Sequence, residues 1–294
     1  MIRVAQKHRH PLSRWLSSIV FAVLMMMAGL NPTPSMANED LSGIPQSWFG
    51  DATLPRDLMD AVEQNDYSTL IQQLPNIATD NELASLVLGT LYLQGLGTTQ
   101  DIPTAQYWLN NAIPSKGGEP EYWLAQSCDL PWTNPIDYEC ALTWYEQSHH
   151  KNNIRATYRW AILLNHEGSK AFYPGSYTNN SLDNYQASYD LLNSITESAE
   201  YANEPEFNTI YGLMNFWAIG TARNLSLAEK HLTKAANQND LYALLGMYLL
   251  HHNKMIDQAN EEAAAHFKAK ALLNVSETEF AALLKEFSAM TNEH

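Results

Sequence analysis

Apolar and small residues recur along this chain at helical spacing, and the spacing itself repeats. Leu88-Gly89 is followed by Tyr92, by Gly95 and Gly97, by Asp101, and then by Ala105, Trp108 and Ala112. Apolar positions three and four apart predict two helices, and the glycines between them predict the turn. The small residues Gly89, Ala105 and Ala112 let the two backbones approach, while Tyr92 and Trp108 fill the space between them. The pattern returns 36 residues later, with Ala125 in place of Gly89, Cys128 for Tyr92, Asp137 for Asp101, Ala141 for Ala105 and Trp144 for Trp108. It returns again through Tyr211-Gly212, Gly220, Asn224, Ala228 and Ala235-Ala236, and a fifth time from Leu245-Gly246 to Ala264, Phe267 and Ala271. Trp160-Ala161 and the run from Tyr185 to Ile195 make a degenerate third copy, its turn widened by a loop over residues 168–183.

One such hairpin cannot bury its apolar face alone, whereas stacked hairpins bury a continuous core. Residues 81–275 are therefore expected to form one solenoid of about five hairpins. Residues 38–80 supply a linker and an entry hairpin, Arg56 to Asn65 and Tyr67 to Leu74. Residues 276–294 supply a closing helix and tail, the helix opened by the capping box Ser276-x-x-Glu279. No segment alternates at the strand period over a useful length. The expectation is an all-α chain of about 13 helices.

The string Leu88-Gly89-Thr90-Leu91-Tyr92, then Gly95-Leu96-Gly97, Asp101, Ala105 and Trp108, closely resembles the consensus of the SEL-like repeat family, a relative of the tetratricopeptide repeats. The resemblance covers roughly residues 81 to 275. It implies a right-handed α/α superhelical solenoid that serves as an adaptor. Exported bacterial members act in envelope assembly, signalling or host interaction, or as immunity proteins that neutralise secreted effectors.

In tetratricopeptide-type stacks the first helix of each pair lines a concave groove. Aligning the copies on their Leu-Gly step puts Tyr122 and Gln126 on that wall in the second copy and Tyr158 in the third. The fourth supplies Leu213, Phe216 and Trp217, and the fifth Met247 and His251. Aromatic and soft apolar side chains are enriched at binding hot spots, but an aromatic at helical spacing also reads as core. The loop over 168–183 is long for a solenoid and rich in Tyr, Ser, Gly and Asn, the residues of adaptable binding loops. Its Tyr173 and Tyr177 are the candidate contacts, the alternative being an insertion without a role.

The first 37 residues change the picture of where the chain works. Arg3, Lys7, Arg9 and Arg14 precede an uncharged apolar run from Ile19 to Leu30, and Ser35-Met36-Ala37 places small residues at a cleavage site. This is the layout of a secretory leader cut before Asn38, which leads to a periplasmic or secreted mature protein. The alternative, an uncleaved anchor, asks for about 20 apolar residues, and this run is shorter. The 294-residue chain carries 17 Lys+Arg against 32 Asp+Glu, net −15. Removing the leader's four bases leaves 13 against 32, or −19. Such a chain has no basic footprint for nucleic acid and is repelled by anionic lipid. Its charge either solvates the surface or steers a basic protein partner.

Two cysteines, Cys128 and Cys140, flank the turn of the second copy. Export permits a disulfide between them, which would stabilise by about 3 kcal/mol, and two buried thiols are the alternative. Catalytic signals are weak. There is no His-Glu-x-x-His, no Gly-x-Ser-x-Gly and no phosphate-binding glycine loop. His149-His150 and His251-His252 are adjacent pairs that point to different helix faces, and Glu262 and His266 share a face without a third ligand. No active site, cofactor or metal is assigned. The sequence favours a periplasmic binding module, possible roles being an immunity protein or a structural adaptor of an envelope complex. An enzyme acting on cell wall or β-lactams is a remote third reading.

Overall fold

The computed structural model describes residues 53–114, 117–129, 137–164 and 181–291. The first 37 residues, where a leader is expected, the following stretch up to residue 52, and Tyr173 and Tyr177 of the expected loop lie outside the described residues. Those residues form thirteen α-helices and no strand. An entry hairpin, α1 (Arg56–Glu63) and α2 (Tyr67–Gln73), is followed by five pairs. These are α3 (Glu82–Gln94) with α4 (Ile102–Asn111), α5 (Glu119–Gln126) with α6 (Tyr138–His150), and α7 (Ile154–Leu164) with α8 (Ser181–Ser194). Then come α9 (Pro205–Trp217) with α10 (Leu225–Ala236), α11 (Leu241–His252) with α12 (Glu261–Ala271), and the closing α13 (Glu277–Thr291). Helix α8 begins at Ser181, so the widened turn ends before Asp183.

The chain divides into two compact units, one holding the described residues 53–195 and the other 196–291. In each unit a helix packs on its hairpin partner and on the next hairpin: α4 on α5, α6 on α7, α10 on α11. The repeat is written into the helix starts. Asp101, Asp137, Asn224 and Asn260 each accept a bond from the backbone N–H three residues on, at Thr104, Cys140, Leu227 and Ala263, and so cap the second helix of a hairpin. Three of these caps also anchor the turn, since Asp101 N donates to Tyr92 O, Asp137 N to Cys128 O and Asn224 N to Asn215 O, each at 3.0 Å. Asn81, Asn153 and Asp240 cap first helices in the same manner. The capping box at Ser276 and Glu279 is present, with Ser276 N donating to Glu279 Oε2 at 2.8 Å and Glu279 N to Ser276 Oγ at 3.3 Å.

Small residues set the helix spacing. A Cβ added to Gly89 would lie 2.7 Å from Cγ of Leu109, and one on Gly212 would lie 2.8 Å from Cγ of Leu232. The two contacts are the same position in two copies. Leu232 also reaches the next hairpin, where a Cβ on Gly246 would stand 2.9 Å from its Cδ1. The side chain therefore wedges between α9 and α11, and its close packing is what holds those hairpins in register.

Candidate protein-docking surface

The first helices of the hairpins are buried nearly all round. Helix α5 is buried at every position and α9 from Phe207 to Trp217. The residues expected to line a groove are part of this packing. Tyr122, Gln126, Tyr158, Leu213, Phe216, Trp217, Met247 and His251 are all buried, none more than 8% exposed. In the unit 53–195, Gln126 Nε2 donates to Tyr145 OH at 2.8 Å and to Tyr122 OH at 3.3 Å, and the Arg155 guanidinium lies 4.4 Å from the centre of the Tyr122 ring. In the unit 196–291, Trp217 meets the edge of Phe287 at 4.9 Å, Met247 Sδ accepts from Thr233 Oγ1 at 3.7 Å, and His251 stacks on Phe267 at 5.5 Å. As placed, these eight side chains contribute cohesion between helices, because apolar groups at inner positions are covered by the hairpins they join.

Helix α5 and the turn that follows it bury three carboxylates. Glu119, Glu121 and Asp129 are each no more than 1% exposed. Each is met by a base further along the chain: Arg155 of α7 on Glu119, Lys151 at the C-terminal end of α6 on Glu121 at 2.5 Å, and Arg159 of α7 on Asp129. Asn153 Nδ2 adds a bond to Glu119 at 2.9 Å, and Tyr145 OH donates to Asp129 at 3.1 Å. Burial disfavours the charge on Arg159, and Asp129 and Tyr145 together more than offset it, holding the guanidinium protonated well above its ordinary range. Burial, with Asp129 beside it, pushes the Tyr145 hydroxyl far up, so it stays a neutral donor. Lys151 also donates to Ile113 O at 2.9 Å, closing the C-terminal end of the preceding hairpin,. These ion pairs escaped the groove-centred reading, although a signal was present: Glu119 and Arg155 stand one 36-residue period apart.

The consequence lies outside. Among the described residues 53–195 the bases are Arg56, Lys151, Arg155 and Arg159, and the last three are drawn inward by buried carboxylates. Asp57, Asp60, Glu63, Asp66 and Asp80 are exposed on and after the entry hairpin, with Arg56 the one base between residues 53 and 114. The side of this unit that water sees is strongly anionic.

Cys128 and Cys140 form a disulfide with their Cα atoms 5.9 Å apart. Among the described residues no group of three or more His, Cys, Asp or Glu is arranged to hold a metal, and no helix is long and apolar enough to cross a membrane.

No family model matches the sequence, and no curated protein matches it. Solved structures do. A protective antigen of uropathogenic Escherichia coli strains that displays the SLR fold is 16% identical, with a TM-score of 0.47 over 77% of this chain and 56% of that one. A Sel1 repeat protein from Oxalobacter formigenes is 17% identical, with a TM-score of 0.57 over 75% of this chain and 85% of that one. The second likeness covers most of both molecules, and with the repeated hairpins and their 36-residue spacing it shows that this chain has the fold of the Sel1-like repeat proteins.

Proposed function

We propose that this protein is a binding scaffold that docks a basic protein partner on the anionic exterior of its N-terminal hairpins. The observation that carries the reading is the inward use of Lys151, Arg155 and Arg159, together with exposed Asp57, Asp60, Glu63, Asp66 and Asp80 beside Arg56 as the one base among the described residues 53–114. A surface of one sign raises the encounter rate with a partner of the other, and rim charges act on association more than on residence. The leader-like first 37 residues put that encounter in the periplasm. Neutralisation of a secreted effector is one concrete role there, and bracing an envelope complex is the other. The first predicts one soluble stoichiometric partner and the second predicts co-purification with membrane components.

The test is to isolate what stays bound to the chain in periplasmic extract and to measure its association with the purified protein. The on-rate should fall steeply as ionic strength passes about 0.1 M, where the screening length shrinks to about 10 Å. It should fall again in a variant carrying Asp57→Asn, Asp60→Asn and Glu63→Gln. A bound protein of acidic character, or an on-rate indifferent to both salt and the triple variant, would sink the proposal.

A further inference from the structure

The disulfide and the buried ion pair of the second hairpin share a hinge point. Cys128 immediately precedes Asp129, and Cys140 lies in the first turn of α6, the helix that also carries Tyr145. Asp129 is fully buried and is held from two directions, by Tyr145 of α6 at 3.1 Å and by Arg159 of α7. Two helices thus meet on one carboxylate, which sits in the turn after α5 and one residue beyond the crosslinked Cys128. The backbone beside Asp129 is tied by the disulfide at Cys128, by Cys128 N donating to Ala125 O and Asp137 N to Cys128 O, each at 3.0 Å, and by Asp129 N donating to Gln126 O at 3.1 Å. If the residue swings toward water, Arg159, whose side chain is 13% exposed, is left as a buried charge without its counter-ion,.

We propose that this disulfide is a redox latch on the docking of the third hairpin, its reduction freeing Asp129 from Tyr145 and Arg159 and loosening α7 from the second hairpin. The chemistry is thiol–disulfide exchange with a dithiol. A thiolate of the reductant attacks Cys140 Sγ, the more accessible sulfur, forming a mixed disulfide and expelling Cys128 as thiolate,. The second thiol of the reductant then displaces Cys140. The protein gains two electrons and two protons, and the dithiol becomes a cyclic disulfide. Any binding face that depends on the placement of α7 is then under control of the redox state. The inference stands on the geometry of this hairpin and does not need the proposed basic partner.

The test is hydrogen exchange of the full purified chain, oxidised and treated with dithiothreitol, read at the amides of residues 157–164. Reduction should speed their exchange by roughly tenfold or more while the amides of α3 and α4 hold their protection. In Asp129→Asn the same amides should already exchange fast when oxidised, and reduction should add at most about twofold, because the latch has nothing left to release. Tyr145→Phe keeps the ring, removes one donor to Asp129, and should shrink the response to reduction. Cys140→Ser should reproduce the reduced state without reductant. The latch is overturned if reduction alters only the amides flanking Cys128 and Cys140, if it speeds α3, α4 and α7 alike, or if the response at α7 is undiminished in both Asp129→Asn and Tyr145→Phe.

Discussion

Two residues carry local costs that the repeat imposes. The first helix of a hairpin ends by turning its chain into the left-handed region, where glycine has no Cβ penalty. Gly95 does this at the end of α3 with φ +70°, but at the end of α9 the position is held by Ala218 with φ +61°. Ala218→Gly should therefore stabilise the protein by about 0.5–1 kcal/mol, seen as a higher urea midpoint at unchanged m-value. His231 is the second case. Its ring is buried, with Nδ1 2.8 Å from Asn208 Oδ1 and its face against the edge of Tyr211 at 4.8 Å. Burial, with Lys234 and Lys230 nearby, pushes its pKa down to about 4. The folded protein thus holds this imidazole neutral where the unfolded chain would protonate it. Between pH 6.5 and about 4 the unfolded state binds the extra proton, so stability falls as pH falls through that window and is intact above it,. The full loss is on the order of 3 kcal/mol. Thermal melts of His231→Gln against wild type should show a flatter pH dependence in the variant between pH 6.5 and 4, and parallel curves there would refute this account.

At the scale of elements, the hairpins were legible and their filling was not. The recurrence of Asp101 at Asp137 and at Asn224 located helix starts because a capping side chain works through its own backbone neighbourhood,. The same holds for Ser276 and Glu279. Whether Trp217 or Met247 faces a guest or a neighbouring helix is decided by residues far along the chain, such as Phe287 and Thr233, and spacing within one helix carries no record of them. The ionic seam between α5 and α7 belongs to this second class. A hydrophobic pattern cannot register a helix that buries Glu119 and Glu121 and a turn that buries Asp129, since those letters read as solvent-facing. The seam makes its own prediction. Glu119→Ala should cost about 3 kcal/mol, because it strands Arg155 beside the Tyr122 ring and leaves Asn153 Nδ2 without its acceptor,. Glu119→Leu combined with Arg155→Leu should recover most of that loss, since an apolar pair needs no counter-charge. Denaturant melts of Glu119→Leu, Arg155→Leu and the double close the cycle, and a double variant as unstable as the sum of those two singles would show no coupling and refute the mutual neutralisation.

Within each compact unit, stacked hairpins differ from a globule in how a defect spreads. Each hairpin is stabilised by its own packing and by its contacts with the neighbouring hairpin of the same unit, so damage should stay near its origin,. Leu232 is the place to test this, because one side chain serves two interfaces: it fills the gap left by Gly212 within its hairpin and by Gly246 in the next. Leu232→Ala removes both contacts and opens a cavity that neither glycine can fill, at a cost of about 2–5 kcal/mol. In a nearest-neighbour stack that loss should appear as faster amide exchange throughout α9, α10, α11 and α12, while α3 and α4 keep wild-type protection. Restoring volume from the other side, as Gly246→Ala in the Leu232→Ala background, should return part of the protection, because the added methyl enters the vacated space instead of clashing at 2.9 Å,. The same Gly246→Ala change made alone should destabilise, for there the leucine is still in place. A sign reversal of that kind between the two backgrounds follows only if Leu232 is the wedge that sets the distance between α9 and α11, and identical effects of Gly246→Ala in both would remove it from that role.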